Sequence, residues 1–335
     1  MPTLAHSVRL TDDAVVILDR RRFPFERVWV RCTTAEDVAV AIEDMVTQSS
    51  GPYFAALFGM VLAAREARHL APADAREALG RAGERLIASR ATNNAIGKAV
   101  AVVLAEVDKS PGEDLVDAAT RGAWIGDERY RAKSRALGEH TVKLLPDNAR
   151  VLTHCWADTY LIATVEAAAH LGKRLSFVCT ETRPYLQGAR LTAETLAEMD
   201  VDTTLITDGM GASVLSQGMV DVLLTAADRV TMDGHVVNKV GTLGLAVAAH
   251  AFGVPFLAQV QAPDPAARTA AAVPIEHRPG TEVLHTLGVR TASDKVRGHY
   301  PAFDITPPRF VTTIVTDRGP FAPDAVADYH AREEP

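Results

Sequence analysis

Apolar and polar positions along the chain follow two different rhythms. Between residues 7 and 30, short apolar runs at 14–18 and 28–31 alternate with charged turns and predict short strands. From residue 34 to 145 the apolar residues recur at helical spacing. Helices are predicted over 35–45, 53–69, 73–89, 94–107 and 115–144, with breaks at Pro72, Pro111-Gly112 and Pro146-Asp147-Asn148. Beyond Pro146, apolar runs at 150–154, 175–179, 203–207, 222–225 and 254–260 alternate with helical segments at 159–171, 189–199, 212–217 and 240–252. Such alternation predicts an α/β fold, a doubly wound parallel sheet with helices on both faces. The expected domains are 1–145, short strands then helices, and 146–335, the sheet domain. The charged stretch 325–335 is expected to be a loose tail.

In doubly wound sheets ligands bind outside the carboxyl ends of the strands. The residues just past each predicted strand are therefore site candidates: His154-Cys155, Thr180-Glu181-Thr182-Arg183, Asp208 and Asp228-Arg229. Cys155 reads either as a small buried hydrophobe or as a thiol whose pKa is lowered by the helix start after it. Asp228 reads either as a cap or partner of Arg229, or as a general acid/base. Asp208-Gly209 suits a turn, and Cys179, inside an apolar strand, suits packing. Gln187-Gly188 and Asn238-Lys239 offer amide and ammonium donors. Asn238-Lys239 is expected just before a helix, where an anion site and a plain capping asparagine give the same pattern. Arg90 lies at a helix boundary and on its own reads as a surface arginine. His154 and Cys155, as strand neighbours, point to opposite faces, so a Cys-His dyad is not expected. Walker A, Gly-x-Gly-x-x-Gly, His-Glu-x-x-His and Gly-x-Ser-x-Gly motifs are absent.

Composition narrows the class. With 335 residues, 47% of them hydrophobic, the chain can build one large or two ordinary cores. Lys and Arg number 35 against 42 Asp and Glu, a net charge of -7 without a basic run, which argues against a nucleic-acid surface. Cys32, Cys155 and Cys179 are too few and too scattered for a disulfide framework or a zinc motif, and suit a reducing cytosol. No apolar run reaches membrane-spanning length and the start lacks a signal-peptide pattern, so a soluble cytoplasmic protein with no membrane partner is expected.

Taken in order, the motifs resemble one known family. They are Thr153-His154-Cys155, Glu181-Thr182-Arg183-Pro184, Leu186-Gln187-Gly188-Ala189-Arg190-Leu191-Thr192 and Leu205-Ile206-Thr207-Asp208, followed by Ala227-Asp228-Arg229-Val230, Asn238-Lys239-Val240-Gly241-Thr242 and Pro301-Ala302-Phe303-Asp304-Ile305-Thr306-Pro307-Pro308. Together they look like the methylthioribose-1-phosphate isomerases, a family related to ribose-1,5-bisphosphate isomerases and to regulatory subunits of translation initiation factor 2B.

The resemblance implies a Rossmann-like domain after a smaller N-terminal one, a homodimer, and no metal or organic cofactor. It implies aldose-to-ketose isomerisation of a 5-substituted ribose 1-phosphate, with S-methyl-5-thioribose 1-phosphate, a methionine-salvage metabolite, as the leading substrate. Cys155 and Asp228 map onto the family's catalytic residues. Arg90, Gln187, Asn238 and Lys239 map onto its phosphate and sugar contacts. On this basis Asp228, with its pKa raised by burial, would protonate the ring oxygen, and Cys155 as a thiolate would serve as base. A proton relay through an enolate and a direct hydride shift both fit.

The chain departs from the pattern in three places. Where the family has an Arg-Gly-Ala-Pro phosphate loop, it reads Gln48-Ser49-Ser50-Gly51-Pro52, leaving Ser49, Ser50 and the backbone N–H groups around Gly51 as candidate oxyanion donors. Arg-Pro-Thr becomes Arg90-Ala91-Thr92, and Cys-Asn-Ala-Gly becomes Cys155-Trp156-Ala157-Asp158. Ribose 1,5-bisphosphate, 5-deoxyribose 1-phosphate and a non-phosphorylated 5-substituted ribose stay open as substrates. So does a non-catalytic subunit that senses sugar phosphate or nucleotide.

Overall fold

The computed structural model describes residues 1–90 and 93–331. Two compact units emerge: Thr3–Ala132, and Met1–Pro2 together with the chain from Lys133 onward. The division falls inside a helix, at Lys133.

The first unit opens with the antiparallel strands β1 (Val8–Leu10), β2 (Val15–Leu18) and β3 (Trp29–Cys32). Helices α1 (Ala35–Glu43), α2 (Gly51–Ala67), α3 (Pro72–Ala88) and α4 (Asn94–Lys109) follow, then the start of α5 (Leu115–Leu144). A capping box at Thr34 and Asp37 starts α1. Helix α2 is buried almost all round and forms the axis of this unit's aliphatic core. Tyr53, on α2, is a packing residue: it is buried, its ring meets Phe54 and Tyr130, and its hydroxyl donates to Gly126 O at 3.0 Å.

The second unit carries β4 (Arg150–Thr153), α6 (Thr159–His170), β5 (Ser176–Thr180), α7 (Ala193–Glu198), β6 (Asp202–Ile206), α8 (Gly211–Ser216) and β7 (Val222–Ala226). Then come β8 (Arg229–Val230), β9 (Val236–Lys239), α9 (Thr242–Ala251), β10 (Phe256–Gln259), β11 (His285–Thr286), β12 (Val289–Arg290), β13 (Phe303–Thr306), β14 (Thr313–Thr316) and β15 (Gly319–Phe321). The main sheet has seven strands in the order β15-β14-β10-β7-β4-β5-β6. Every neighbouring pair is parallel except β14 and β15. Starting from β4 the chain adds strands outward on one side, then returns to place β7 on the other. The strand order therefore reverses between β4 and β7, which pair directly through Val151 with Val222 and Leu152 with Leu223. That reversal is the crevice where open α/β sheets bind ligands.

On one face of the sheet, Leu152, Leu223, Phe256, Ala258 and Ile314 pack with residues of α8 and α9. Adjacent strand residues point to opposite faces. Accordingly Gln259, next to Ala258, turns the other way and donates to Thr141 Oγ1 of α5 at 2.8 Å and Thr164 Oγ1 of α6 at 3.0 Å.

Several elements differ from expectation. A second, three-stranded sheet (β13-β9-β8) and the hairpin β11-β12 were not expected, nor were β14 and β15. Their strands run two to four residues, too short to show a period. Asn238 and Lys239 are the last residues of β9, with Val240 and Gly241 between them and α9, because antiparallel pairing with β13 extends the strand through Lys239. The segment expected as one helix over 189–199 begins as a π-helical turn, Gly188–Thr192, before α7. The chain from Pro323 to Ala331 is not a loose tail: it forms a 3-10 helix with Val326 and Tyr329 buried, and Tyr329 Oη donates to Asp317 at 2.8 Å. Residues 332–335, and Ala91-Thr92 of the altered family pattern, lie outside the described residues.

Helix α5 crosses α6 at Gly138, where a Cβ would stand 2.6 Å from the carbonyl carbon of Ala163. Backbone cannot yield as a flexible side chain can. Gly138→Ala is expected to cost about 1–3 kcal/mol, read as a lower urea midpoint with an unchanged slope.

Candidate active site

Cys155 and Asp228 each follow one of the two strands that flank the reversal. Cys155 stands two residues past β4 and Asp228 two residues past β7, so paired neighbouring strands deliver both. The chain leaves β4 sharply: Cys155 has φ 67 and Asp158 φ 52. The backbone of Cys155 is held on both sides. Its N–H donates to Thr182 Oγ1 at 2.9 Å, and its carbonyl accepts a short hydrogen bond from Thr192 Oγ1.

Thr182 is itself left-handed at φ 62, an unfavourable conformation for a β-branched residue. The Asp208 carboxylate holds it there, accepting from Thr182 N and Arg183 N at 2.7 Å each. Asp208 is therefore a structural residue past β6, as its turn-like sequence suggested. Gly188 opens the π-helical turn so close to β5 that a Cβ would lie 1.8 Å from Thr180 O. Only glycine fits there, and it brings Gln187, which is buried, and Thr192 up against the end of β5.

His154 works away from the thiol. Its Nε2 donates to Val240 O at 2.9 Å, because a carbonyl can only accept. Its Nδ1 meets Thr180 Oγ1 at 2.6 Å. Burial lowers its pKa, so the ring is neutral and Nδ1 accepts from the threonine. With both nitrogens occupied, no Cys-His dyad forms.

Gly241, at φ 109, packs on that ring; a Cβ would lie 2.9 Å from Nε2. On its other side Gly241 N donates to Asp304 Oδ2 at 2.7 Å, and Leu243 N donates to the same carboxylate. The N-terminus of α9, an expected anion site, is thus filled by the protein's own Asp304 on β13. Burial raises the Asp304 pKa to about 6, against the opposing pull of the two N–H groups and Lys239.

Lys239 and Asn238 are both buried. Asn238 Nδ2 donates to Thr242 Oγ1 at 3.0 Å. The Lys239 ammonium lies 4.9 Å from the centre of the Phe303 ring and 5.5 Å from that of Tyr300. Arg229 pairs with Asp264 at 3.2 Å.

Electrostatics correct the expected proton inventory. Cys155 is half-buried, and burial pushes its thiol up to about 12. Lys239 pulls it down while the charges of Asp228 and Asp208 push it further up. The thiolate expected from a nearby helix start is not favoured, since α6 begins only at Thr159 and desolvation dominates. Asp228 is exposed, so the burial that would make it a proton donor is lacking. Cys179 is fully buried, as its sequence suggested.

Ser49, Gly51 and Arg90 belong to the other unit. Ser49 is exposed with φ 53. Gly51 N–H is used within its own turn, donating to Gln48 O at 2.9 Å, so this donor is not open to an oxyanion. Arg90 sits in the turn after α3. The loop does acquire an arginine from elsewhere in the chain. Arg20, 1% exposed, donates to Gln48 O at 2.6 Å and to Ser7 Oγ at 2.8 Å. In the sequence it was hidden in the run Arg20-Arg21-Arg22, which reads as a charged turn. Thr182 was a candidate as a residue just past a strand, whereas Asp304, inside β13, and Thr192, closing the π-helical turn, were quoted in motifs without a role. Among the described residues no group of three His, Cys, Asp or Glu side chains is placed to hold a metal ion, and no helix is long and apolar enough to cross a membrane.

Comparison with known proteins identifies the family. Residues 48–323 match the model of the Initiation factor 2 subunit family. The chain belongs to that family. It is 35% identical to Methylthioribose-1-phosphate isomerase 1 of Pseudothermotoga lettingae, covering 95% of each chain. With Methylthioribose-1-phosphate isomerase of Anaeromyxobacter sp. it shares 38% identity over 94% of each. The fold matches that of 5-methylthioribose 1-phosphate isomerase from Pyrococcus horikoshii OT3 with a TM-score of 0.87 and 30% identity, covering 99% of this chain and 97% of that one. It also matches translation initiation factor eIF-2B, subunit delta, from A. fulgidus, with a TM-score of 0.84 and 32% identity over 95% and 96%. Membership in the family thus embraces both isomerases and translation-factor subunits.

The thiol makes a prediction independent of substrate. Only the thiolate is alkylated, and a thiol titrating near 12 has no plateau at moderate pH. Iodoacetamide labelling of Cys155, followed by peptide mass spectrometry, should accelerate about tenfold per pH unit from pH 7 to 9.5. Lys239→Met, which removes the cation that favours the thiolate, should slow it further. A plateau below pH 8 would contradict the assignment.

Proposed function

We propose that this protein isomerises a 5-substituted ribose 1-phosphate to the corresponding ribulose 1-phosphate, with S-methyl-5-thioribose 1-phosphate as the leading substrate. The observation that carries the reading is the delivery of Cys155 and Asp228 by the two strands at which the sheet order reverses. Similarity along nearly the whole chain to proteins named as methylthioribose-1-phosphate isomerases supports the substrate class. A homodimer and a cytoplasmic location form part of the same reading.

The proton inventory suggests roles opposite to those first expected. A sugar 1-phosphate is locked as a ring by its anomeric phosphate. In this reading the Cys155 S–H protonates the ring oxygen as its bond to C1 breaks, and Lys239 stabilises the thiolate left behind. The cation at C1 is shared with the phosphate-bearing oxygen. Hydrogen then moves from C2 to C1 with its electron pair, while O2 gives its proton to the Asp228 carboxylate and C2 becomes the ketone. One proton enters at the ring oxygen, one leaves at O2, and the hydride stays within the sugar. Solvent returns the proton from Asp228 to the sulfur. A thiol held protonated by burial is a poor base for a carbon-bound proton, so the hydride route fits better than the enolate relay. Gln187, Asn238 and Lys239 are assigned as donors to the phosphate and sugar oxygens, as the family resemblance implies.

A second reading, a non-catalytic sugar-phosphate-sensing subunit, is favoured by the likeness to a translation-factor delta subunit and by the altered Ser49-Ser50-Gly51 loop. It expects binding without conversion.

A ketose assay on a panel of pentose 1-phosphates separates the two. The wild-type protein should convert the methylthio sugar, and Cys155→Ser and Asp228→Asn should each lose at least about a hundredfold in kcat with unchanged circular dichroism. Failure of the wild-type protein on every substrate would refute the isomerase reading. With substrate deuterated at C2, the label should be retained at C1 of the product in ordinary water. Its washout would instead support an enolate.

A further inference from the structure

Tyr300 is a polar group that neither the motif pattern nor the mechanism above uses. It immediately precedes the Pro301 motif and is 4% exposed. Its segment runs antiparallel to the end of β9: Phe303 pairs with Lys239, and Val240 N donates to Ala302 O at 3.1 Å. This pairing carries the phenol back over Lys239. The Lys239 ammonium has donors only, so in its 3.5 Å contact with Tyr300 Oη the phenol oxygen must accept. Among the described residues this is the only hydrogen bond of the hydroxyl, whose own proton has no acceptor. A buried O–H donor without an acceptor costs free energy in the absence of a ligand.

The surroundings say where such an acceptor would sit. Tyr300 and Cys155 lie within each other's electrostatic reach, as do Cys155 and Lys239. Burial pushes the phenol up to about 12, so at neutral pH it keeps its proton and donates. A thiol, an ammonium and a phenolic O–H therefore gather at one strand end.

We propose that Tyr300 is a further catalytic residue, whose hydroxyl donates a hydrogen bond to a substrate oxygen held between the Lys239 ammonium and the Cys155 thiol. This rests on the isomerase reading for its substrate but not for its geometry. The ligand class it selects is an oxygen-rich, anionic sugar, because a phenol and an ammonium side by side present donors only.

Tyr300→Phe tests it cleanly, since the ring that packs on Lys239 remains and only the hydroxyl goes. With S-methyl-5-thioribose 1-phosphate, kcat/KM should fall by about tenfold to a hundredfold while the thermal midpoint is unchanged or higher. An unchanged kcat/KM would overturn the proposal. So would a loss accompanied by a lower thermal midpoint, which would make the hydroxyl a packing element. If the wild-type protein turns over no pentose 1-phosphate, the isomerase reading fails separately. Calorimetric binding of ribose 1-phosphate then decides: at least about fivefold weaker binding to Tyr300→Phe supports the hydroxyl contact, and equal binding overturns it.

Discussion

The site depends on one turn, Val240-Gly241, being clamped from two strands at once. His154, leaving β4, donates to Val240 O, and Asp304, on β13, accepts from the N–H groups of Gly241 and Leu243. Because His154 is the residue before Cys155, the same clamp fixes the thiol relative to Lys239, the residue before Val240. Neither partner can be replaced by solvent without leaving buried polar groups unmatched, which costs more than a single ordinary hydrogen bond. Gly241 is required because its φ is 109 and because the His154 ring occupies the space of a Cβ.

The same internal pairing engages other polar groups along the sheet edge. The helix start of α9 is neutralised by Asp304, and the strained turn at Thr182 by Asp208. With those positions satisfied internally, Lys239 lies against aromatic rings and close enough to the thiol to bear on it electrostatically. A buried ammonium beside a protonated thiol is a device for making a thiolate transiently. It is not a device for storing one. That distinction is what favours the cysteine as acid and the exposed aspartate as base in the proposed reaction.

Much of this was legible in the chain. The 3.6-residue period gave the bounds of α5 without error, and the alternation after Pro146 gave the parallel sheet. The strand-end rule picked out Cys155, Asp208 and Asp228 before any contact was known. What escaped depended on pairing between distant segments. Short strands such as β9 and β13 have no period of their own, so Lys239 was assigned to a helix start and Asp304 to no role. Proton affinities escaped for a similar reason: desolvation is a property of the packed site, and it reversed the expectation for Cys155. Arg20 was unreadable because one arginine of a run of three is buried and the pattern does not say which.

The central claim is spatial: the ends of β4 and β7 bracket the two carbons that exchange hydrogen. A crystal structure of the Cys155→Ser variant with S-methyl-5-thioribose 1-phosphate bound tests it most directly. The account predicts the sugar's C1 and C2 between residue 155 and Asp228, with Lys239 and Tyr300 donating to its oxygens. A sugar bound away from the β4–β7 crevice, or one with Asp228 turned from its O2 hydroxyl, would contradict it.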